Sequence, residues 1–189
     1  MQLHRAESEL RLLQKVSRLF AKSQPLHESL HQITQLVSVF MHGDSCLLYL
    51  LSGDGLVLCA ADGPNPGAVG EVRLRLSEGL TGWVARERRM VAISREAYLD
   101  PRFKFFRDLP EDAYEAFLSA PVIARNRVVG AINVQHRQPH AHSGEELEVV
   151  TTVGEQVGAL VAMSCIDSAS LDRTDFAEIA LSRLLARHG

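Results

Sequence analysis

The chain has 189 residues, 46% hydrophobic and 23% charged, a size and balance that suit one folded domain with helical extensions and exclude disorder, collagen-like repeats and disulfide scaffolds. Twenty basic against 23 acidic residues leave a formal charge of −3 with no long like-charged run, which argues against a nucleic-acid arm. No apolar stretch reaches the ~20 residues of a membrane span, and Met1–Glu7 lacks a signal-peptide hydrophobic region, so the expectation is a cytoplasmic chain that meets neither nucleic acid nor membrane.

Along the chain, Leu10, Leu13, Val16, Leu19 and Phe20 recur at three- and four-residue spacing over 7–22, the pattern of an amphipathic helix whose stripe needs a partner. Leu26, Leu30, Ile33, Leu36, Val37 and Phe40 repeat it over 25–41, after a Ser23-Gln24-Pro25 start signal. The texture then changes to short apolar runs. Residues 45–51 and 56–61 flank Ser52-Gly53-Asp54-Gly55 and read as a hairpin, and 71–76 alternates charge with Val72, Leu74 and Leu76 as a strand with one wet face. A turn at Ser77-Glu78-Gly79 leads into a short helix carrying Trp83, and 90–94 is a further strand.

Residues 95–117 form a long polar-aromatic stretch, longer than an ordinary connection, and long ordered loops often carry function. Two more strands, 119–123 and 128–134, are joined by a turn at 124–127. Ser143-Gly144-Glu145-Glu146 matches a capping box, opening a helix whose apolar face is Leu147, Val150, Val153, Val157, Leu160 and Val161. Gly154 and Gly158 on that helix suggest that another element packs close to its backbone. A short amphipathic helix follows around Phe176, Ile179, Ala180 and Leu184. This order is α+β, with an antiparallel sheet and helices segregated to one face.

Four stretches carry a resemblance to the GAF domain family of small-molecule sensor and regulatory modules: 76–85, Asp100-Pro101-Arg102-Phe103-Lys104, 117–123 and 128–135. They span roughly 24–165 and resemble the domains that front nitrogen-type phosphotransferase Enzyme I and some histidine kinases. The resemblance implies a six-stranded antiparallel sheet, helices on one side that commonly dimerise, and a ligand cavity on the other. The organisation expected is a signalling or dimerisation helix at 1–23, the domain at 24–165, and a linker with a short helix at 166–189.

Cavity walls are expected from Trp83, Tyr98, Phe103, Phe106 and Phe117, with polar contacts from Ser94, Arg95 and Arg102, a set suited to a small anion or carboxylate. The same aromatics would equally close the open face of the sheet, and a lone Trp on a short helix, such as Trp83, is more often a core anchor than a cavity wall. No nucleophile elbow, metalloprotease helix or phosphate-binding loop occurs, and no cofactor or enzymatic activity is expected. His136, His140 and His142 lie within seven residues, but Pro139 and the lack of a carboxylate in that run favour a solvated loop over a metal site. Cys46, Cys59 and Cys165 are too scattered for a disulfide or zinc framework and read as core residues.

The function expected is a sensor that binds a small molecule and regulates a signalling partner or output domain through a homodimer of its terminal helices, 7–22 against 145–163. A coupling of ~1–3 kcal/mol suffices for such control. Two alternatives stand beside it: a ligand-free dimerisation or interaction module, and a redox enzyme of the methionine sulfoxide reductase type, which some family members are.

Overall fold

The computed structural model describes residues 2–64, 66–104, 114–165 and 175–185. Helices α1 (Gln2–Leu19) and α2 (Leu26–Met41) form where the apolar spacing placed them. The stripe of α1 is rotated from the one expected, for Leu12, Val16 and Leu19 are buried while Leu10 stands 57% exposed. That stripe finds its partner inside the chain, against α2 and the long helix α4 (Gly144–Ser164). Pro25 serves as the N-cap residue of α2 and gives no side-chain cap, and His42 ends the helix in the left-handed region.

The sheet has six strands, every neighbouring pair antiparallel, in the order β3-β2-β1-β6-β5-β4. These are β1 (Ser45–Ser52), β2 (Gly55–Asp62), β3 (Arg73–Arg75), β4 (Val91–Ile93), β5 (Ala116–Ala124) and β6 (Arg127–His136). Arg125 and Asn126 both take positive φ, 47° and 60°, the backbone of a two-residue turn whose twist matches the strands it joins. Pro121 is tolerated in β5 because β4 pairs only with Phe117–Ser119 and leaves that stretch of β5 without a partner on its outer side.

Alternation along the strands separates two faces. Cys46, Leu48 and Leu50 of β1, Leu118, Ala120 and Val122 of β5, and Ile132 and Val134 of β6 turn toward α1, α2, α4 and α5 (Phe176–Leu185) and form one continuous core. The capping box is present: Glu146 N–H donates to Ser143 Oγ at 3.2 Å and Ser143 N–H donates to Glu146 Oε2 at 2.7 Å. The close approach expected from Gly154 and Gly158 is to β5, since a Cβ on Gly158 would run into the Ile123 carbonyl. Beyond residue 174, Phe176, Ala177, Ala180 and Leu181 of α5 join this core, and Asp175 accepts a 2.6 Å hydrogen bond from Ser52 Oγ.

The opposite face carries less. Helix α3 (Gly79–Glu87) packs there on β5 and β6, and two small clusters form around Tyr49 and Leu58 and around Val84 and Phe117. Gly79, at φ +69°, makes the sharp turn that aims the first turn of α3 at the sheet.

Candidate functional site

Between α3, the sheet and the long loop lies a cavity of about 80 Å³. Its floor is the strand face that the helices do not cover: Ser45, Leu47 and Tyr49 from β1, Leu58 and Ala61 from β2, Phe117 from β5, and Asn133 and Gln135 from β6. Leu80 and Thr81 close one side, and Phe103, Lys104 and Tyr114 of the long loop close another.

The polar groups are few and held in place. Asn133 is 1% exposed; its Nδ2 donates to Thr81 Oγ1 at 2.8 Å, while its Oδ1 is buried with no hydrogen-bond partner. Such an acceptor costs roughly 1–3 kcal/mol if left dry. The α3 N-terminus is uncapped by its own side chain, for Glu78 turns back to accept from Arg75 N–H at 2.8 Å and pairs with Lys104 Nζ at 3.1 Å. Those bonds hold the Glu78 carboxyl below the usual range, the Arg75 amide contributing most and Lys104 next. The first-turn N–H groups of α3 have no acceptor inside the helix and give that end partial positive charge. Gly79, Leu80 and Thr81 place this end on the cavity wall, with Lys104 beside it.

The expected site residues separate into groups. Phe103 and Phe117 line the cavity, their rings edge-to-face at 6.3 Å. Trp83 and Arg102 lie outside it, in a shallow surface groove that shares Phe103, with the guanidinium 4.7 Å above the indole ring. Arg102 is also engaged by Asp100, donating to both carboxylate oxygens at 2.9 and 2.8 Å, which pushes the Asp100 pKa down and its own up. Ser94 and Arg95 are exposed past the end of β4 and do not reach the cavity. Tyr98 points to Glu115, whose hydrogen bond raises the phenol pKa. Phe106 lies outside the described residues. Ser45, Thr81, Lys104, Tyr114, Asn133 and Gln135, polar residues that line the cavity, were not singled out from the sequence as site residues, although the alternation Ile132-Asn133-Val134-Gln135 put two amides on the face away from the helices.

Burial raises the pKa of all three thiols: Cys46 strongly, Cys59 up to about 12, and Cys165. A buried protonated thiol is a poor nucleophile, which speaks against thiol redox chemistry at these positions. The histidine run departs from the solvated loop expected of it. His136 is 5% exposed, both ring nitrogens of His142 are buried, and His140 Nε2 donates to Glu146 Oε1 at 3.1 Å. Among the described residues no three His, Cys, Asp or Glu side chains are arranged to hold a metal ion. No described helix is long and apolar enough to cross a membrane.

Comparison with known proteins places this architecture. Over 154 residues the chain is 26% identical to the phosphoenolpyruvate-dependent phosphotransferase system protein of Escherichia coli K12, covering 80% of this chain and only about a fifth of that relative's length. The GAF domain of a phosphoenolpyruvate-protein phosphotransferase from Acinetobacter is 32% identical, superposes with a TM-score of 0.73, and is matched over 82% of this chain and 94% of that one. The corresponding domain from Coxiella burnetii is 25% identical with a TM-score of 0.80, over 87% of this chain and 99% of its own. The GAF domain family model matches residues 25–161, most of the chain, with the six strands, α2, α3 and nearly all of α4, and the chain belongs to that family.

Proposed function

We propose that this domain is a sensory module whose cavity takes up a small carboxylate bearing an amino or hydroxyl group, and that occupancy biases the arrangement of its terminal helices and so regulates an output domain or partner. One observation carries the reading. Asn133, which lines the cavity, carries a buried acceptor without a donor, Oδ1, and the cavity wall carries the uncapped positive end of α3 beside Lys104. A carboxylate on the α3 amides and an N–H or O–H on Asn133 would satisfy both ends at once. The size agrees, since about 80 Å³ takes on the order of half a dozen water-sized groups, which suits a small acid better than a nucleotide. Similarity to domains of phosphoenolpyruvate-protein phosphotransferases supports a regulatory setting.

Homodimerisation remains part of the proposal on narrower grounds than the sequence offered, because the α1 stripe is covered within the chain. Among the described residues, the large apolar side chains left exposed on the helical side are Leu10, Val39 and Met163.

The test is a thermal-shift panel of small amino, hydroxy and 2-oxo acids on the pure chain. A saturable rise in Tm, following mass action, that disappears in Asn133→Leu is the expected result. No rise with any acid, together with an unliganded Tm that increases in Asn133→Leu, would mean that the cavity is core and would favour the ligand-free interaction module.

A further inference from the structure

Three imidazoles that the sequence places in a loop are stacked at the corner where α1, the α2–β1 turn and the start of α4 meet. His136 and His140 lie face to face, with ring centroids 4.1 Å apart and planes 7° from parallel. His142 stands edge-on to both, at 5.5 and 4.9 Å. His136 Nε2 donates to the Met41 carbonyl at the end of α2, which leaves its buried Nδ1 without a partner. Neither ring nitrogen of His142 has one.

One carboxylate serves this corner. Glu146 caps α4 through Ser143 N–H, accepts from His140, and lies 3.6 Å from the Arg5 guanidinium. Arg5 also pairs with Glu145 at 2.9 Å and donates to Ser143 Oγ, tying the beginning of α1 to the first turn of α4. The surrounding charges are mixed. From α1, Arg11 and Lys15 line the groove that His140 and Glu146 also line, together with Arg5 and His42. On the other side Asp44 faces His136 and accepts from Arg137 N–H. Glu146 can neutralise one imidazolium, His140. A second would face the first across the stack, with the positive end of α4 immediately after it.

We infer that the His136–His140–His142 stack is an acid-responsive latch: packed while no more than one ring is charged, it holds α1 to α4, and protonation of a second ring opens it and frees the Arg5 end of α1. Burial, and then the neighbouring imidazoles, keep His142 neutral until about pH 4 while the corner stays closed, and burial first lowers His136 as well. Protons therefore enter the open form more readily than the closed one. The group that gives way is Glu146, because cap, imidazole and Arg5 all draw on it.

Hydrogen exchange of the full chain, expressed as protection factors between about pH 7.5 and pH 5, tests the latch. The expected result is that protection of 5–19 falls by about tenfold or more as pH drops, while that of β1 and β6 holds, and that His142→Phe, which keeps a ring and removes its titration, abolishes the fall. NMR titration of the wild-type imidazoles gives a second readout that needs no variant, with at least two of the three rings protonating below an ordinary histidine. Loss of protection in α1 and the sheet together, three ordinary titrations, or an α1 response that vanishes on adding EDTA and so belongs to a bound metal would each overturn the proposal.

Discussion

The two faces of the sheet are built to different rules. On the helical face, Leu48, Val122, Ile132 and Val157 are fully buried in one continuous apolar cluster, and α4 comes so near β5 that only glycine fits at 158. On the other face, two small clusters leave between them a cavity lined by Asn133, Thr81 and Gln135. A face packed to crystal-like density has no room to respond to a solute, whereas a face with an unfilled space and an unmet acceptor does. On the proposed function, stability and recognition are divided between the sides of one sheet.

Perturbing each side sharpens that division. Leu48→Ala, at the centre of the helical core, is expected to lower unfolding free energy by about 3 kcal/mol in urea titrations, with the surrounding helices too close-packed to collapse into the space. Gly158→Ala should cost about 2 kcal/mol, collision with the Ile123 carbonyl outweighing the gain in helix propensity. Gly144→Ala, with nothing near its added methyl, should change stability by less than about 0.5 kcal/mol. A fall as large in Gly144→Ala would break the contrast.

Acid should act through the corner that joins the layers. The His142 pKa is lowered to about 4 from an ordinary 6.5, so below pH 6.5 the unfolded chain binds a proton that the folded chain refuses. Stability from this group is complete above 6.5 and is lost progressively as pH falls toward 4. Chemical denaturation at stepped pH should show that loss in the wild type and a smaller one in His142→Phe. On the cavity face, Asn133→Leu should shift stability by no more than about 1 kcal/mol, loss of the Thr81 hydrogen bond being offset by removal of an orphaned acceptor. The smallest expected effect is on the thiols, for Cys46, Cys59 and Cys165 should resist alkylation in the folded chain, and rapid native labelling would revive the redox-enzyme reading.

Local signals read well where a single physical cause acts within a few residues. The 52–55 hairpin, the Ser143 capping box and the turn at Gly79 rest on backbone geometry that neighbouring side chains alone specify. The site read less well. Aromatic content drew attention to Trp83, Tyr98 and Phe106, yet Trp83 stacks under Arg102 on the surface and Tyr98 turns to Glu115. Asn133 and Gln135 were hidden inside an apolar strand, where alternation marks a polar position without saying what faces it.

What the sequence alone determined is the set of elements, their order and the family pattern, because periodicity, caps and turn residues are properties of contiguous chain. Tertiary structure decided which faces met. It turned the α1 stripe onto α2 and α4, brought the α3 N-terminus, Lys104 and Asn133 around one cavity, and stacked three imidazoles against a carboxylate whose sequence role was only to cap a helix. Each of these joins residues far apart in the chain or on different elements, and their meeting depends on strand register and helix docking, which no local pattern encodes.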